Sequence, residues 1–464
     1  MRMREVLWLG VIAILVIFRA VPAGGGKRDA SYPNYRMFVS VLDMVKRNYV
    51  NEVDDEKLFL GAYRGMLAEL DPYNQFMTPE DVKQLEADTE GEFGGLGIEI
   101  TLDNNRILTV ITPIEDTPAA KVGVQPGDRI VEIDGKSTFN ITLMNAVSKL
   151  RGRPGTPVTI TVVHEGTGRR ERLTITRDVI KVHSVRAAKM IDEKAKIGYI
   201  RMTNFQKTTA DELDTAVRKL LDQGMKALVL DLRRNPGGLL DSAVAVCDRF
   251  IQNGVLVTTR GRAPDTVHRF EATHRNTYPN IPVAVLISGS SASASEIVAG
   301  CLQDHHRAII IGMRSFGKGS VQSILMLDDG CKLRLTTAKY YTPSGRCIHR
   351  DINAQETDPW GILPDIEVKT TYEDELGLLK HWQEESIKEN ALGKEPGKPP
   401  EKQEKPEPPK PEAAPAPAPA PDDEDLLPPM RGEGGKPERK EFVDRTLVRA
   451  MDALKAILVY ANPR

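Results

Sequence analysis

The chain has 464 residues, 28% of them charged and 40% hydrophobic, an ordinary globular balance with material for two or three domains. Its net charge of −2 gives no electrostatic ground for nucleic acid or an anionic membrane surface as the main partner.

The N-terminus does not read as part of a globular fold. Arg2 and Arg4 precede the apolar run Val6–Phe18, and RAVPAGGGK follows. Such a run suits the core of an export signal better than a full membrane span, although extending it to Val21 would allow an uncleaved anchor. Residues 1–26 are therefore read as a signal peptide or membrane anchor. Export to the periplasm or cell envelope is expected, with inner-membrane anchoring if the segment is retained.

Residues 31–91 form an N-terminal helical region, with Phe38, Val41, Leu42 and Val45 at helical spacing. LDPYNQFMTPED at 70–81 interrupts it. Thr78 can cap the helix that restarts there, and Pro79 suits its first position. Residues 92–180 change to short β-branched runs separated by Gly, Pro and Asp turns, with a short helix over NAVSKL at 145–150. This is a small β-rich module.

Residues 181–393 alternate strand and helix, which implies an α/β core. Strands are expected in KIGYIRM, KALVLDL, IPVAVLIS, RAIIIG, SVQSILML and KLRLTTAKYY, and DDG at 328–330 turns the last two into a hairpin. Residues 394–440 are rich in Pro, Glu, Lys and Ala, a composition that cannot bury enough surface to fold. In 441–464 a helical pattern returns, with Leu447, Met451, Leu454 and Leu458 on one face. The expectation is a disordered linker followed by a helix docked on the core. Export would permit disulfides among Cys247, Cys301, Cys331 and Cys347, but Cys247 and Cys301 sit on apolar helix faces as buried thiols do. No C-x-x-C spacing points to zinc.

Two segments share one plan. Strand KALVLDL runs into RRNPGG and a helix; strand IPVAVLIS runs into GSSAS and a helix. Each puts a sharp turn at the carboxyl end of a buried strand, where α/β sheets collect ligands. A serine of the second turn could expose its Oγ while the next N–H faces a developing oxyanion. The glycine pair of the first turn could bring further N–H donors close. What takes the proton is less obvious. His305 and His306 fall at the far end of the following helix and read as its cap. Lys318, flanked by Gly317 and Gly319, is the better base, and Gln322 follows on a strand where its amide could orient lysine or serine. A lysine acts as base only when neutral, so its pKa has to fall from about 10.4 by roughly three units, or about 4 kcal/mol. Burial away from carboxylates could do that.

SASASEIVAG, FGKGSVQ with its lysine 25 residues after the middle serine, and DLRRNPGGLL together resemble the C-terminal processing peptidases, or tail-specific proteases. YYTPSGR, GILPDIEV, LDPYNQFMTPED and DRTLVRAMDALK resemble further motifs of that family in order. The resemblance implies a Ser/Lys dyad with Ser293 as nucleophile, Lys318 as general base and Gln322 in support. It puts oxyanion donors at the N–H of Ala294 and at the pair Gly237–Gly238, without deciding which glycine donates. Ser291 and Ser295 then become turn and helix-cap residues. The β-rich module resembles a PDZ domain, with GLGI at 95–98 as its carboxylate loop. There Leu96, Gly97 and Ile98 can present N–H groups to a peptide's terminal carboxylate while the peptide adds a strand to the sheet edge.

The expected fold is an α/β protease core with an inserted β-rich PDZ domain and an N-terminal helical region. The expected function is an exported serine endopeptidase that needs no metal or cofactor. It would recognise protein C-terminal tails through the PDZ domain and cleave near them. Self-association through the N- and C-terminal helical regions is a further expectation. The rival from another class is a catalytically silent PDZ adaptor for protein C-termini, and a weaker one is an acyl-CoA-type hydratase.

Overall fold

The computed structural model describes residues 32–392 and 442–461, apart from 104, 115, 116, 274, 276, 352 and 356. The leader run Val6–Phe18 and the linker 394–440 lie outside the described residues. Among the described residues no helix is long and apolar enough to cross a membrane. The chain divides into two compact units, residues 1–76 and 77–464.

The first unit carries helices α1 (Tyr32–Asn48) and α2 (Asp55–Ala68). The helical spacing of α1 holds, but its apolar residues are not core: Phe38 and Val41 are exposed, and Leu42 and Val45 only half-buried. Asp54 caps α2 by accepting from the Lys57 N–H. The helical region is broken by a short strand, β1 (Gln75–Met77).

Helix α3 (Pro79–Glu90) starts as its sequence dictates. Thr78 Oγ1 accepts from the Asp81 N–H at 3.3 Å, the Asp81 carboxylate accepts from the Thr78 N–H at 3.0 Å, and Pro79 opens the first turn. The β-rich module follows. Strand β2 (Glu92–Gly95) leads into β3 (Ile98–Leu102), β4 (Leu108–Pro113), α4 (Pro118–Lys121), β5 (Arg129–Ile133) and β6 (Lys136–Ser137). Helix α5 (Leu143–Leu150), β7 (Pro157–Val163), β8 (Arg170–Thr176) and β9 (Asp178–Lys181) complete it. Strands β3, β4, β5, β7 and β8 pair antiparallel in that order, and β9 returns to pair with β2, so the module begins and ends at one place. Its core is aliphatic, built on Leu108, Val110, Ile130, Ile160 and Ile175.

The α/β core contains β10 (Val185–Asp192), β11 (Ile197–Met202), α6 (Thr209–Asp222), β12 (Ala227–Asp231) and α7 (Leu240–Asp248). After β13 (Val255–Gly261) and β14 (Val267–Glu271) come β15 (Val283–Ile287), α8 (Ala294–Asp304) and β16 (Ile309–Gly312). The hairpin β17 (Ser320–Met326) and β18 (Lys332–Tyr341), then β19 (Ile366–Glu367), α9 (Tyr372–Leu392) and α10 (Arg445–Ala461) end the described chain. The main sheet runs β10-β11-β12-β15-β16-β19, parallel except for β10 against β11. Its central strands are buried on both faces, which is why they read as unbroken apolar runs. Ile200, Leu228, Leu230, Val283 and Val285 face one layer, shared with α6, α7 and α8. Tyr199, Ala227, Val229, Ala284 and Leu286 face the other, closed by Ala450 and Leu454 of α10. Leu447, Met451 and Leu458 pack against that cluster, so the expected docking of the last helix is realised.

Candidate active site

The two turns singled out in the sequence are bonded to each other. Asn235 is the junction: its side-chain N–H donates to Met202 O at 3.0 Å, and its carbonyl accepts from the Ala292 N–H at 3.0 Å and the Ser295 hydroxyl at 2.9 Å. Ser291 accepts from the Ser288 N–H at 2.9 Å and donates to Leu232 O at 2.7 Å, so it holds the turn as expected. Ser295 departs from expectation. It lies inside α8 and ties the helix to the other turn; the N-cap position is taken by Ser293 itself.

Ser293 is 7% exposed and sits at φ +54°, ψ −113°. This is a costly backbone state for a residue with a Cβ, and such states cluster at functional sites. Gly237 is packed onto it: a Cβ on Gly237 would lie 2.8 Å from Ser293 Cβ and 2.7 Å from Ala292 O. Gly237 (φ +99°) spends its own N–H on Asn235 Oδ1 at 2.9 Å. Gly238 (φ +153°) is pressed against Phe205, where a Cβ would come within 2.1 Å of the Phe205 carbonyl. Of the two glycines, Gly238 is therefore the one whose N–H is not taken up by Asn235.

The lysine loop is fixed by its glycines, as their spacing implied. A Cβ on Gly319 would lie 2.4 Å from the His349 backbone nitrogen, and one on Gly317 2.8 Å from Arg350 Cβ. Arg350 N–H donates to Gly317 O at 2.8 Å, and Tyr340 N–H to Gly319 O at 2.7 Å. Lys318 between them is half-buried. Gln322 lies on β17, and its amide nitrogen donates to Ser320 Oγ at 2.9 Å and Thr336 Oγ1 at 3.3 Å. His305 caps the end of α8 and pairs with Val255 O at 2.8 Å, as expected. The histidine that approaches the lysine loop is His349, through its backbone against Gly319.

Turn, helix and lysine loop converge on Glu296, which is completely buried. One carboxylate oxygen accepts from the Ser315 hydroxyl at 2.5 Å and the Gly317 N–H at 2.7 Å. The other accepts from the N–H groups of Ser293 and Lys318, each at 2.8 Å. Burial pushes this carboxyl above its ordinary range while the four donors pull it down. A carboxylate thus stands beside the lysine loop, contrary to the expectation of burial away from carboxylates. It is occupied by hydrogen bonds, including that loop's own backbone. Tyr340, buried on β18, presents its hydroxyl to the Ser293 side chain, and burial pushes its phenol up to about 12.

In the β-rich module the GLGI loop lines a groove with Ile98, Ile100, Val147 and Leu150, and Arg151 stacks beside it with its guanidinium carbon 4.0 Å from the Phe93 ring centre. Leu96 O accepts from the Ala119 N–H at 2.9 Å, and Gly97 O from the Ile114 N–H at 2.8 Å. Since peptide units are planar and trans, the N–H groups of Gly97 and Ile98 point the opposite way from those carbonyls. Gly97 stands at φ +75°, and a Cβ there would strike Thr117 at 2.2 Å.

The profile of peptidase family S41 matches residues 196–368, that of a PDZ domain residues 109–163, and that of the N-terminal domain of the activating protease CtpB residues 22–81. A carboxy-terminal-processing protease of Bartonella bacilliformis is 46% identical over 343 residues, 73% of this chain and 76% of that protein. The chain belongs to peptidase family S41. Another similar protein is the carboxy-terminal processing protease CtpA of Bacillus subtilis, 35% identical over 71% of each chain. Among solved structures, the photosystem II D1 C-terminal processing protease is similar at 29% identity, covering 72% of this chain and 88% of that one with a TM-score of 0.43.

In this S41 peptidase three groups at the site were not singled out from the sequence. Glu296 carried a signal: Ser293-x-x-Glu296 has capping-box spacing, and the glutamate does reach back to the N-cap N–H. Tyr340 and the buried Arg233 behind the first turn carried none, because Ser293 and Asp444, which they face, are remote from them in sequence.

Proposed function

We propose that this S41 serine peptidase captures proteins by their C-terminal tails in the PDZ groove and cleaves them near that end with a Ser293–Lys318 dyad. The observation that carries the reading is the Glu296 carboxylate, which takes the backbone N–H of both Ser293 and Lys318 at 2.8 Å. One buried anion thereby sets the two reactive side chains' backbones relative to each other.

Ser293 Oγ attacks the scissile carbonyl carbon while its proton passes to the neutral Lys318 amine. The oxyanion forms against the N–H groups of Ala294 and Gly238. Collapse breaks the C–N bond, and the Lys318 ammonium returns the proton to the leaving amine. Water, deprotonated by Lys318, then attacks the acyl carbon; the bond to Ser293 Oγ breaks and the Lys318 ammonium returns that proton to Oγ, which leaves a carboxylic acid, the Ser293 hydroxyl and a neutral lysine. Gln322 supports the dyad from β17, through the Ser320 and Thr336 hydroxyls it holds. No step calls for a metal or cofactor. In the module that matches a PDZ domain, the N–H groups of Leu96, Gly97 and Ile98 receive the tail's carboxylate, and the apolar groove receives its last side chain. The basic-then-apolar start of the sequence supports action outside the cytoplasm, in the periplasm or envelope.

The test is hydrolysis of tail-bearing peptides. Ser293→Ala and Lys318→Ala should both abolish cleavage while leaving tail binding intact, and Lys318→Arg should not rescue it, because arginine stays charged. His305→Ala, His306→Ala and His349→Ala should keep activity. An active Lys318→Ala beside an inactive histidine variant overturns the dyad.

A further inference from the structure

The turn that carries Gly237 and Gly238 is gripped from behind by residues far along the chain. Arg233, 5% exposed, lies between two carboxylates. On one side Asp231 accepts from its Nε at 3.0 Å and its terminal nitrogen at 2.6 Å, and from its backbone N–H at 2.9 Å. On the other, Asp444 accepts a two-pronged contact from both terminal nitrogens at 2.8 and 2.7 Å. Tyr199 donates to Asp231 at 2.8 Å, and the Trp382 ring lies over the guanidinium with its centre 5.6 Å from the guanidinium carbon. Arg234 follows at φ +58°, with its N–H on Ser288 Oγ at 3.2 Å and its guanidinium on Glu375 of α9 at 3.1 Å.

The two glycines give this loop wide conformational freedom, so its setting depends on such tethers. Asp444 also caps α10, accepting from the Leu447 N–H at 3.0 Å. Burial pushes its carboxyl up, but the Arg233 hydrogen bonds and charge outweigh that and hold it below its ordinary range, so it faces Arg233 as an anion.

We propose that Asp444 is a positioning residue for peptide hydrolysis: by clamping Arg233 it holds the 233–238 loop at the setting in which the Gly238 N–H meets the developing oxyanion. The proposal rests on the reading of that loop as an oxyanion donor and of Ser293 as nucleophile. Misplacement of a donor by a fraction of an ångström weakens the transition state and not peptide binding.

Asp444→Asn separates this role from capping, because asparagine caps a helix about as well as aspartate but loses the charge and one of the two acceptors. In the full chain, kcat for a tail-bearing peptide should fall about 10- to 100-fold with KM within about twofold. Labelling of Ser293 by a fluorophosphonate should slow by the same factor. Asp444→Glu, which keeps the carboxylate, should recover part of the loss. Wild-type kcat and labelling in Asp444→Asn overturn the proposal. So does a loss that disappears when rates are referred to the folded fraction measured by circular dichroism. Failure of the wild-type enzyme to be labelled at Ser293 overturns the underlying dyad reading instead, and the proposal falls with it.

Discussion

The backbone N–H groups of Ser293 and Lys318 donate to the same oxygen of Glu296, each at 2.8 Å. Two segments 25 residues apart in sequence thus share one acceptor at the start of α8. The geometry makes Glu296 a scaffold for the site rather than a proton carrier, since both its oxygens are occupied by donors.

Glu296→Gln should therefore be far more damaging than its size implies. A carboxamide offers one acceptor oxygen and turns an NH2 group toward N–H donors that need an acceptor. Peptide hydrolysis should fall by about 10²-fold or more, the scale expected when reacting groups are displaced by about an ångström. Binding of a free-acid tail peptide, measured by fluorescence anisotropy, should be unchanged. A fully active Glu296→Gln enzyme would remove the scaffold role.

Leu454 is completely buried against the sheet face that also holds Ala227 and Val229. Leu454→Ala should cost about 2–5 kcal/mol, the range for an aliphatic truncation that leaves a cavity. Denaturant unfolding of the full chain measures it. A change at exposed Val459 should be close to neutral.

Gly97→Ala should disable tail capture without touching the peptidase centre. The new methyl would collide with Thr117 at a backbone angle that alanine avoids. Affinity for a free-acid tail peptide should drop while fluorophosphonate labelling of Ser293 continues. Amidating the peptide's C-terminus should mimic the loss in the wild-type chain. Equal binding of acid and amide forms would contradict a carboxylate loop at 95–98.

His164 links the β-rich module to pH. Its ring is held between Glu171, 3.1 Å from Nε2, and Asp128, 2.8 Å from Nδ1, with Arg169 also pairing with Glu171. The hydrogen bond to Glu171 and then that to Asp128 raise its pKa above the ordinary 6.5, against the opposing effect of burial. The folded state therefore holds the proton more tightly than the unfolded one. That stabilisation is fully present below the unfolded value and is lost as pH rises through the raised folded value. Amide exchange in β7 and β8 should speed up as pH rises above about 6.5, beyond the intrinsic base-catalysed increase, and His164→Gln should remove that excess. An identical excess in both proteins would locate the dependence elsewhere.

The reading from sequence was strongest where one local pattern decides the outcome. The Thr78-Pro79 start of α3, the buried runs of β12 and β15, and the DDG hairpin follow from capping, burial and turn chemistry within a few residues. The Gly317 and Gly319 pair could be recognised as a close approach, but not that it is the 347–351 segment that approaches. The role of Ser295 is not legible in its own neighbourhood, because its acceptor, Asn235 O, lies 60 residues away. Helix α1 was legible as a helix, whereas the exposure of Phe38 and Val41 was not, because periodicity specifies a face and not what covers it.

The ion pair between Arg233 and Asp444 joins residues 211 apart. A ribosome adding about 5–20 residues per second delivers the second of them roughly 10–40 s after the first. During that interval the paired strands β11 and β12 and the glycine turn can already exist, but the guanidinium has only one of its two carboxylates. If Asp444 positions the turn as proposed, competence waits for α10, which follows the Pro-rich stretch in sequence. A chain interrupted before residue 444 would carry both Ser293 and Lys318 and still lack the clamp on its glycine turn.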